Sequence, residues 1–182
     1  RHSKIRTKIK KIKKSQKIFK DCKENLIKNL NFKLTNDQEL AIKIINKDLK
    51  SKSRMFRLLQ GDVGSGKTIV SMIAAVNSIN AGYQAGFMVP TEILAKQHFS
   101  FASKYLPKNI KVQMLTGKSK FTERKKILED LKNGNIDFLI GTHSLFQKKV
   151  EYKKLGLIII DEQHKFGVRQ RKELSEKGGN NC

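Results

Sequence analysis

Residues Gly61-Asp62-Val63-Gly64-Ser65-Gly66-Lys67-Thr68 constrain this 182-residue chain more than any other stretch. They follow an apolar run, Met55–Gln60, that reads as a strand, and they open Lys67–Asn80, whose apolar residues recur as on a helix. Glycine reaches backbone conformations closed to other residues, so such a turn can wrap closely and aim successive N–H groups inward. The N-terminus of the following helix adds partial positive charge at the same place. G-x-x-x-x-G-K-T between a strand and a helix is therefore a phosphate cradle. Lys67 is placed to reach β- and γ-phosphates, and the Thr68 hydroxyl to ligate Mg²⁺. The competing reading is a glycine turn with an unrelated lysine, which requires the whole pattern and its context to coincide by chance.

The rest of the chain supports a layered α/β fold. Beyond Leu34, helices are expected over Gln38–Leu49, Lys67–Asn80, Glu92–Tyr105 and Thr122–Lys132. Strands are expected at Met55–Gln60, Gln84–Val89, Ile110–Leu115, Asp137–Ile140 and Gly156–Ile160. Short continuous apolar strands alternating with helices imply a parallel sheet covered on both faces. Residues 34–182 read as one such domain. Residues 1–33 differ sharply, with thirteen Lys or Arg against Asp21 and Glu24, a net of +11. Ile5, Ile9, Ile12, Ile18 and Phe19 recur there at roughly helical spacing, so this part reads as a basic helical connector, either solvated or touching nucleic acid.

Charge by itself decides little. The formal net charge is +23, but 32 of the 39 basic residues are Lys, in a chain also rich in Ile and Asn. An AT-rich genome gives that composition to proteins of many kinds, so the charge permits phosphate binding without requiring it. Cys22 and Cys182 form no metal-ligand spacing and read as reduced thiols of a cytoplasmic protein. No apolar run is long enough to cross a bilayer, and no secretory leader is legible. The chain opens on Arg1, as expected of a piece of something longer.

A second motif completes the first. The apolar strand ending at Ile160 delivers Asp161 and Glu162 at its carboxyl end, where parallel-sheet sites lie. Paired with the glycine loop about a hundred residues earlier, this is the arrangement in which one acid holds magnesium and the next deprotonates a water. Asp161 takes the first role and Glu162 the second, beside Lys67, with ATP and Mg²⁺ as the implied cofactors. An acid pair after a strand would say little without the loop.

These residues carry a resemblance. Asp161-Glu162-Gln163-His164 followed by Lys165-Phe166-Gly167-Val168-Arg169-Gln170-Arg171 is similar to the DEQH-box region of the RecG family of branched-DNA helicases. Agreeing blocks are Leu34-Thr35-x-x-Gln38, Gly61–Thr68, Val89-Pro90-Thr91-Glu92-Ile93-Leu94-Ala95-x-Gln97-His98 and Ile140-Gly141-Thr142-His143-Ser144-Leu145. The related transcription-repair coupling translocases usually carry a second Glu at Gln163, which favours RecG. Lys165 stands where the family usually has Arg, which keeps the charge and loses any bidentate contact.

The resemblance implies a RecA-like first motor lobe, a P-loop NTPase unit of an ATP-dependent DNA helicase acting on forks and junctions. It implies that Phe32 and Gln38 recognise adenine, against the plainer readings of Phe32 as a cap on the core and Gln38 as a polar residue on a helix surface. It implies that Gln163 and His164 couple the nucleotide to the DNA path, against the plainer reading of His164 as an ordinary surface or core histidine. Thr91 and Glu92, Thr116 and Gly117, and Thr142 and His143 would track a DNA backbone from three turns, each of which alone reads as a helix cap or turn. The expected partners are branched DNA, a second motor lobe supplying arginines, and a wedge domain. Neither domain is read in residues 1–182, and the Ser-Ala-Thr or Thr-Ala-Thr segment expected next is missing, so the sheet should be incomplete at its C-terminal side. Residues 1–33 resemble the connector from the wedge.

Overall fold

A computed structural model describes residues 6–7, 26, 33–51, 55–147 and 149–162. Helices α1 (Asn36–Leu49), α2 (Lys67–Asn80), α3 (Glu92–Tyr105) and α4 (Phe121–Asn133) alternate with strands β2 (Gln84–Met88), β3 (Val112–Leu115), β4 (Phe138–Gly141) and β5 (Leu155–Ile160). The two-residue strand β1 (Arg6–Thr7) precedes them. The order across the sheet is β1-β5-β2-β4-β3, with β5, β2, β4 and β3 all parallel and β1 antiparallel to β5.

Strand side chains alternate between faces, and this divides the core in two. Ala85, Phe87, Phe138, Ile140, Leu157 and Ile159 face one cluster, built with α1, α2 and α3. Met88, Leu139 and Ile158 face the other, with Ile127 and Leu131 of α4. Both faces are covered, as the uninterrupted apolar strands predict. Helix α2 buries Ile69, Val70, Met72, Ile73 and Val76 on several sides, because it is sandwiched between α1 and the sheet; Ala74 and Ala75 allow that close approach. Helix α1 presents only Ile42, Ile45 and Leu49, one stripe. Its start is fixed by a reciprocal cap: Gln38 N donates to Thr35 Oγ1, and Thr35 N donates to Gln38 Oε1 at 3.0 Å.

At the far end of the sheet from the strand C-termini, the buried Gln84 amide is fully used. Its Nε2 donates to the carbonyls of Leu131 and Ile136 at 2.8 and 2.7 Å, and its Oε1 accepts from Lys154 N at 2.9 Å. One side chain thereby fastens β2, the end of α4 and the entry to β5, leaving no buried amide atom to bear a desolvation cost.

The limits of α2 and α3 coincide with the expected ones, and the others shift by one or two residues. Two expectations fail. Met55–Gln60 keeps strand-like alternation, with Met55 buried and Phe56 and Leu58 exposed, but it joins no ladder among the described residues. The outer edge of β5 is taken at Leu157 and Ile158 by Thr7 and Arg6. Arg6–Thr7 is extended rather than helical, because an open strand edge recruits backbone donors and acceptors. Further along the basic segment, Leu26 is helical and fully buried.

Strands β3 and β4 approach closely at their ends. A Cβ built on Gly141 would lie 1.9 Å from the Leu115 carbonyl oxygen, a backbone atom with no room to yield. Gly141→Ala is expected to cost about 3 kcal/mol or more as the strand pair is forced apart. The check is a lower urea midpoint at unchanged slope.

Candidate nucleotide site

The loop that opens α2 has the backbone its glycines allow. Gly64 and Gly66 sit at φ +83° and +80°, in the left-handed region. At Gly66 a side chain would be strained by that φ, and its Cβ, 2.3 Å from Gln38 Nε2, would also push the Gln38 amide away. Ser65 N donates to Asp62 O at 3.1 Å and tightens the turn, leaving Val63 fully exposed at its tip. Lys67 Nζ donates to the Gly61 and Asp62 carbonyls at 2.6 and 2.7 Å, so the ammonium is held inside the curve of the loop.

One cleft brings both motifs together. Lys67, Thr68, Ser71 and Asp161 line it with Leu59, Phe87, Ile159 and Ile160. The Asp161 backbone is fixed by its N–H donating to Met88 O at 2.9 Å. Its carboxylate accepts from the Glu162 N–H at 3.0 Å through Oδ1 and faces His98 Nε2 at 3.3 Å through Oδ2. The His98 hydrogen bond, foremost, holds the Asp161 carboxyl below the usual carboxylate range. The His98 charge, the Glu162 N–H and the Lys67 ammonium act in the same direction, and burial opposes them. Glu162 follows at φ +50°, an uncommon conformation for a residue with a side chain. Strain of this kind concentrates at functional positions.

The cleft's donors suit a magnesium-nucleotide. A hydroxyl and a carboxylate are hard oxygen ligands, and Mg²⁺ typically takes one or two from protein and the rest from phosphates and water. Among the described residues no cluster of three or more His, Cys, Asp or Glu offers a cage for a metal on its own.

Gln38 touches the loop: its Nε2 donates to Ser65 O at 2.9 Å while its Oε1 caps α1. Phe32, Gln163, His164 and both cysteines lie outside the described residues.

The parallel strands put the other expected residues along one edge, beside the cleft. Thr91 caps α3, its hydroxyl accepting from Leu94 N at 3.3 Å. Glu92 reaches the next turn, where its Oε1 accepts from Lys118 N at 3.3 Å and its Oε2 lies 3.5 Å from Lys118 Nζ. Thr116 is buried, and its N–H donates to Ser119 Oγ; Gly117 is exposed, close to Glu92. Thr142 is buried, 3.3 Å from Ser144 Oγ, which donates to Leu115 O at 3.1 Å; His143 is exposed. The hydroxyls of Thr91 and Thr142 therefore perform the capping and turn roles available to them. Hydrogen bonds between the turns tie all three into a single rim.

Two residues at the site were assigned no role from the sequence. Ser71, which lines the cleft, lies one turn beyond Lys67 and looks like a small core residue. His98, which closes a block that matches the family, lies on the buried stripe of α3 with Ala95 and Ala102, where an imidazole needs a polar partner.

A sequence model of the family described as DEAD/DEAH box helicase matches residues 35–180. The chain is 54% identical over 152 residues to the ATP-dependent DNA helicase RecG of Streptococcus pneumoniae serotype 4, covering 84% of this chain and 22% of the relative. It is 51% identical over 164 residues to the protein of the same name from Thermotoga maritima, covering 90% and 21%. A solved structure, described as RecG bound to a three-way DNA junction, matches with a TM-score of 0.76 at 46% identity, over 88% of this chain and 21% of that one. The chain thus spans about a fifth of the length of the relatives it matches. No helix among its described residues is long and apolar enough to cross a membrane.

Proposed function

Because the chain belongs to the RecG family of DEAD/DEAH box helicases, we propose that it is the ATP-binding lobe of an ATP-dependent helicase or translocase. The substrate would be branched DNA, such as forks and Holliday junctions, in recombination and repair. One observation carries this reading: Lys67, Thr68 and Asp161 line the same cleft, with Glu162 next to it.

Each group then has a task in this reading. The loop N–H groups and the α2 N-terminus hold the phosphates. Lys67 swings from the Gly61 and Asp62 carbonyls to the β- and γ-phosphates. Thr68 and Asp161 would hold magnesium, which would neutralise charge on the phosphates. Glu162 orients the attacking water and takes its proton on the carboxylate. Gln38, already against the loop, turns its amide to the adenine edge, where Phe32 stacks. Gln163 and His164 relay the nucleotide state toward the DNA. Thr91, Glu92, Thr116, Gly117, Thr142 and His143 form a rim along which one DNA strand lies, contacted through its phosphates and so without sequence preference.

Arginines from a second motor lobe complete the catalytic site in this reading, and a wedge domain separates strands. An arginine finger contributes about 10³–10⁵ to turnover. The isolated 182-residue chain is therefore expected to bind nucleotide with near-background hydrolysis, and the full-length protein to hydrolyse ATP in response to forked DNA. A coupled phosphate-release assay with and without a fork checks both. Brisk DNA-stimulated turnover by the isolated chain would overturn the division of labour, and a full-length enzyme indifferent to DNA would overturn the motor.

A further inference from the structure

We propose that His98 is a positioning residue for the magnesium site, holding the Asp161 carboxylate in place from helix α3. The inference rests on the nucleotide-site reading above and assigns a role to a side chain outside both nucleotide motifs.

The geometry leaves His98 few other tasks. It is 8% exposed, on the inner stripe of α3, with its ring centroid 4.7 Å from that of Phe87. Phe87 belongs to β2, beside β5, so the ring is braced by the sheet that delivers Asp161. From that braced position Nε2 meets Asp161 Oδ2 at 3.3 Å. The other carboxylate oxygen accepts the Glu162 N–H. Both oxygens are thereby oriented before any metal arrives, and each keeps lone pairs for one. Either the Nε2–H tautomer or the imidazolium can make this contact, so the role does not depend on protonation.

The origin of the restraint matters as much as its length. Glu162 and Met88 hold residue 161 through its own strand and its neighbour, whereas His98 holds it from α3. That helix starts at Thr91 and Glu92, on the rim, about 10 Å of helix rise from His98. The metal ligand is thus fastened to the helix whose first turn faces the proposed DNA path. Partners that orient a metal-binding carboxylate are typically worth about 10–100-fold in metal affinity or activity.

The test compares His98→Leu, which fills the space on Phe87 without a donor, with His98→Gln, whose amide nitrogen reaches about as far as Nε2. In the full-length protein, a fluorescent ADP analogue is titrated first without Mg²⁺ and then against increasing Mg²⁺, and the ATPase rate is measured over the same Mg²⁺ range. His98→Leu is expected to leave metal-free nucleotide affinity and the thermal midpoint near wild type, while raising the half-saturating Mg²⁺ concentration about 10–100-fold in both assays. His98→Gln is expected to recover most of that shift. An unchanged Mg²⁺ requirement in His98→Leu overturns the proposal, as does an equal loss of metal-free binding. Unfolding of either variant would make His98 a packing residue and overturn it too. If the wild-type protein shows no Mg²⁺-dependent nucleotide binding, the site reading itself falls, and the His98 role with it.

Discussion

In Lys67→Ala, ATP turnover by the full-length protein is expected to fall about a hundredfold or more, the usual cost of removing a donor aimed at transition-state charge. Lys67 Nζ already sits within the loop, on Gly61 O and Asp62 O. It also helps to keep Asp161 ionised across the cleft. Alanine removes the only side-chain cation that lines the cleft among the described residues. Hydrogen bonds to charged groups contribute about 1.5–3 kcal/mol, so nucleotide affinity should also drop by about tenfold or more. Folding should be little affected, because the two Lys67 hydrogen bonds lie in an exposed loop and the buried side of α2 is untouched. Steady-state kinetics with nucleotide titration checks the claim, and undiminished turnover would remove Lys67 from the site.

Glu162→Gln should separate binding from chemistry. The amide matches the carboxylate in size but cannot take a proton, so turnover is expected to fall about 10²–10⁴-fold. Nucleotide affinity should hold, since Lys67, Thr68 and Asp161 remain in place, and the protein should accumulate with ATP bound. The backbone makes this comparison clean. At φ +50° both Glu and Gln bear the same strain, about 1–2 kcal/mol for a left-handed residue with a Cβ, so the substitution changes chemistry without changing conformation. Filter binding of labelled ATP alongside single-turnover hydrolysis provides the check. A variant that still hydrolyses at the wild-type rate would show that another group serves as the base.

Much of this site was legible because its signals are local. Gly64, Gly66 and the residues that follow specify a turn and a helix start within a few positions, and α2 begins where they place it. Thr91 marks the start of α3 by the same short-range logic, because a hydroxyl at that position satisfies a helix N–H. The apolar run ending at Ile160 announces both a buried strand and the acid that follows it.

The failures share the opposite character. Met55–Gln60 has the alternation of a strand, yet whether it pairs depends on partners far away in the chain, which that alternation does not specify. His98 closes a block that matches the family, but its task at the site is illegible until Asp161, 63 residues on, is brought against it. The left-handed turn at Glu162 has no sequence mark at all, since neither glycine nor asparagine stands there. The rim illustrates both sides. Its three turns can be found one by one, but the contacts of Glu92 with Lys118 and of Ser144 with Leu115 exist only because β4 lies between β2 and β3.

By itself, then, the amino-acid order determined the glycine loop, the limits of α2 and α3, the two-faced burial of the strands and the acids at the end of β5. Each follows from spacings of a few residues, over which backbone sterics and helix or strand periodicity act directly. Only the tertiary structure decided the strand order, the occupant of the β5 edge and the imidazole facing Asp161. Those outcomes follow from packing and hydrogen-bond energies between segments far apart in the chain, to which no local pattern is sensitive.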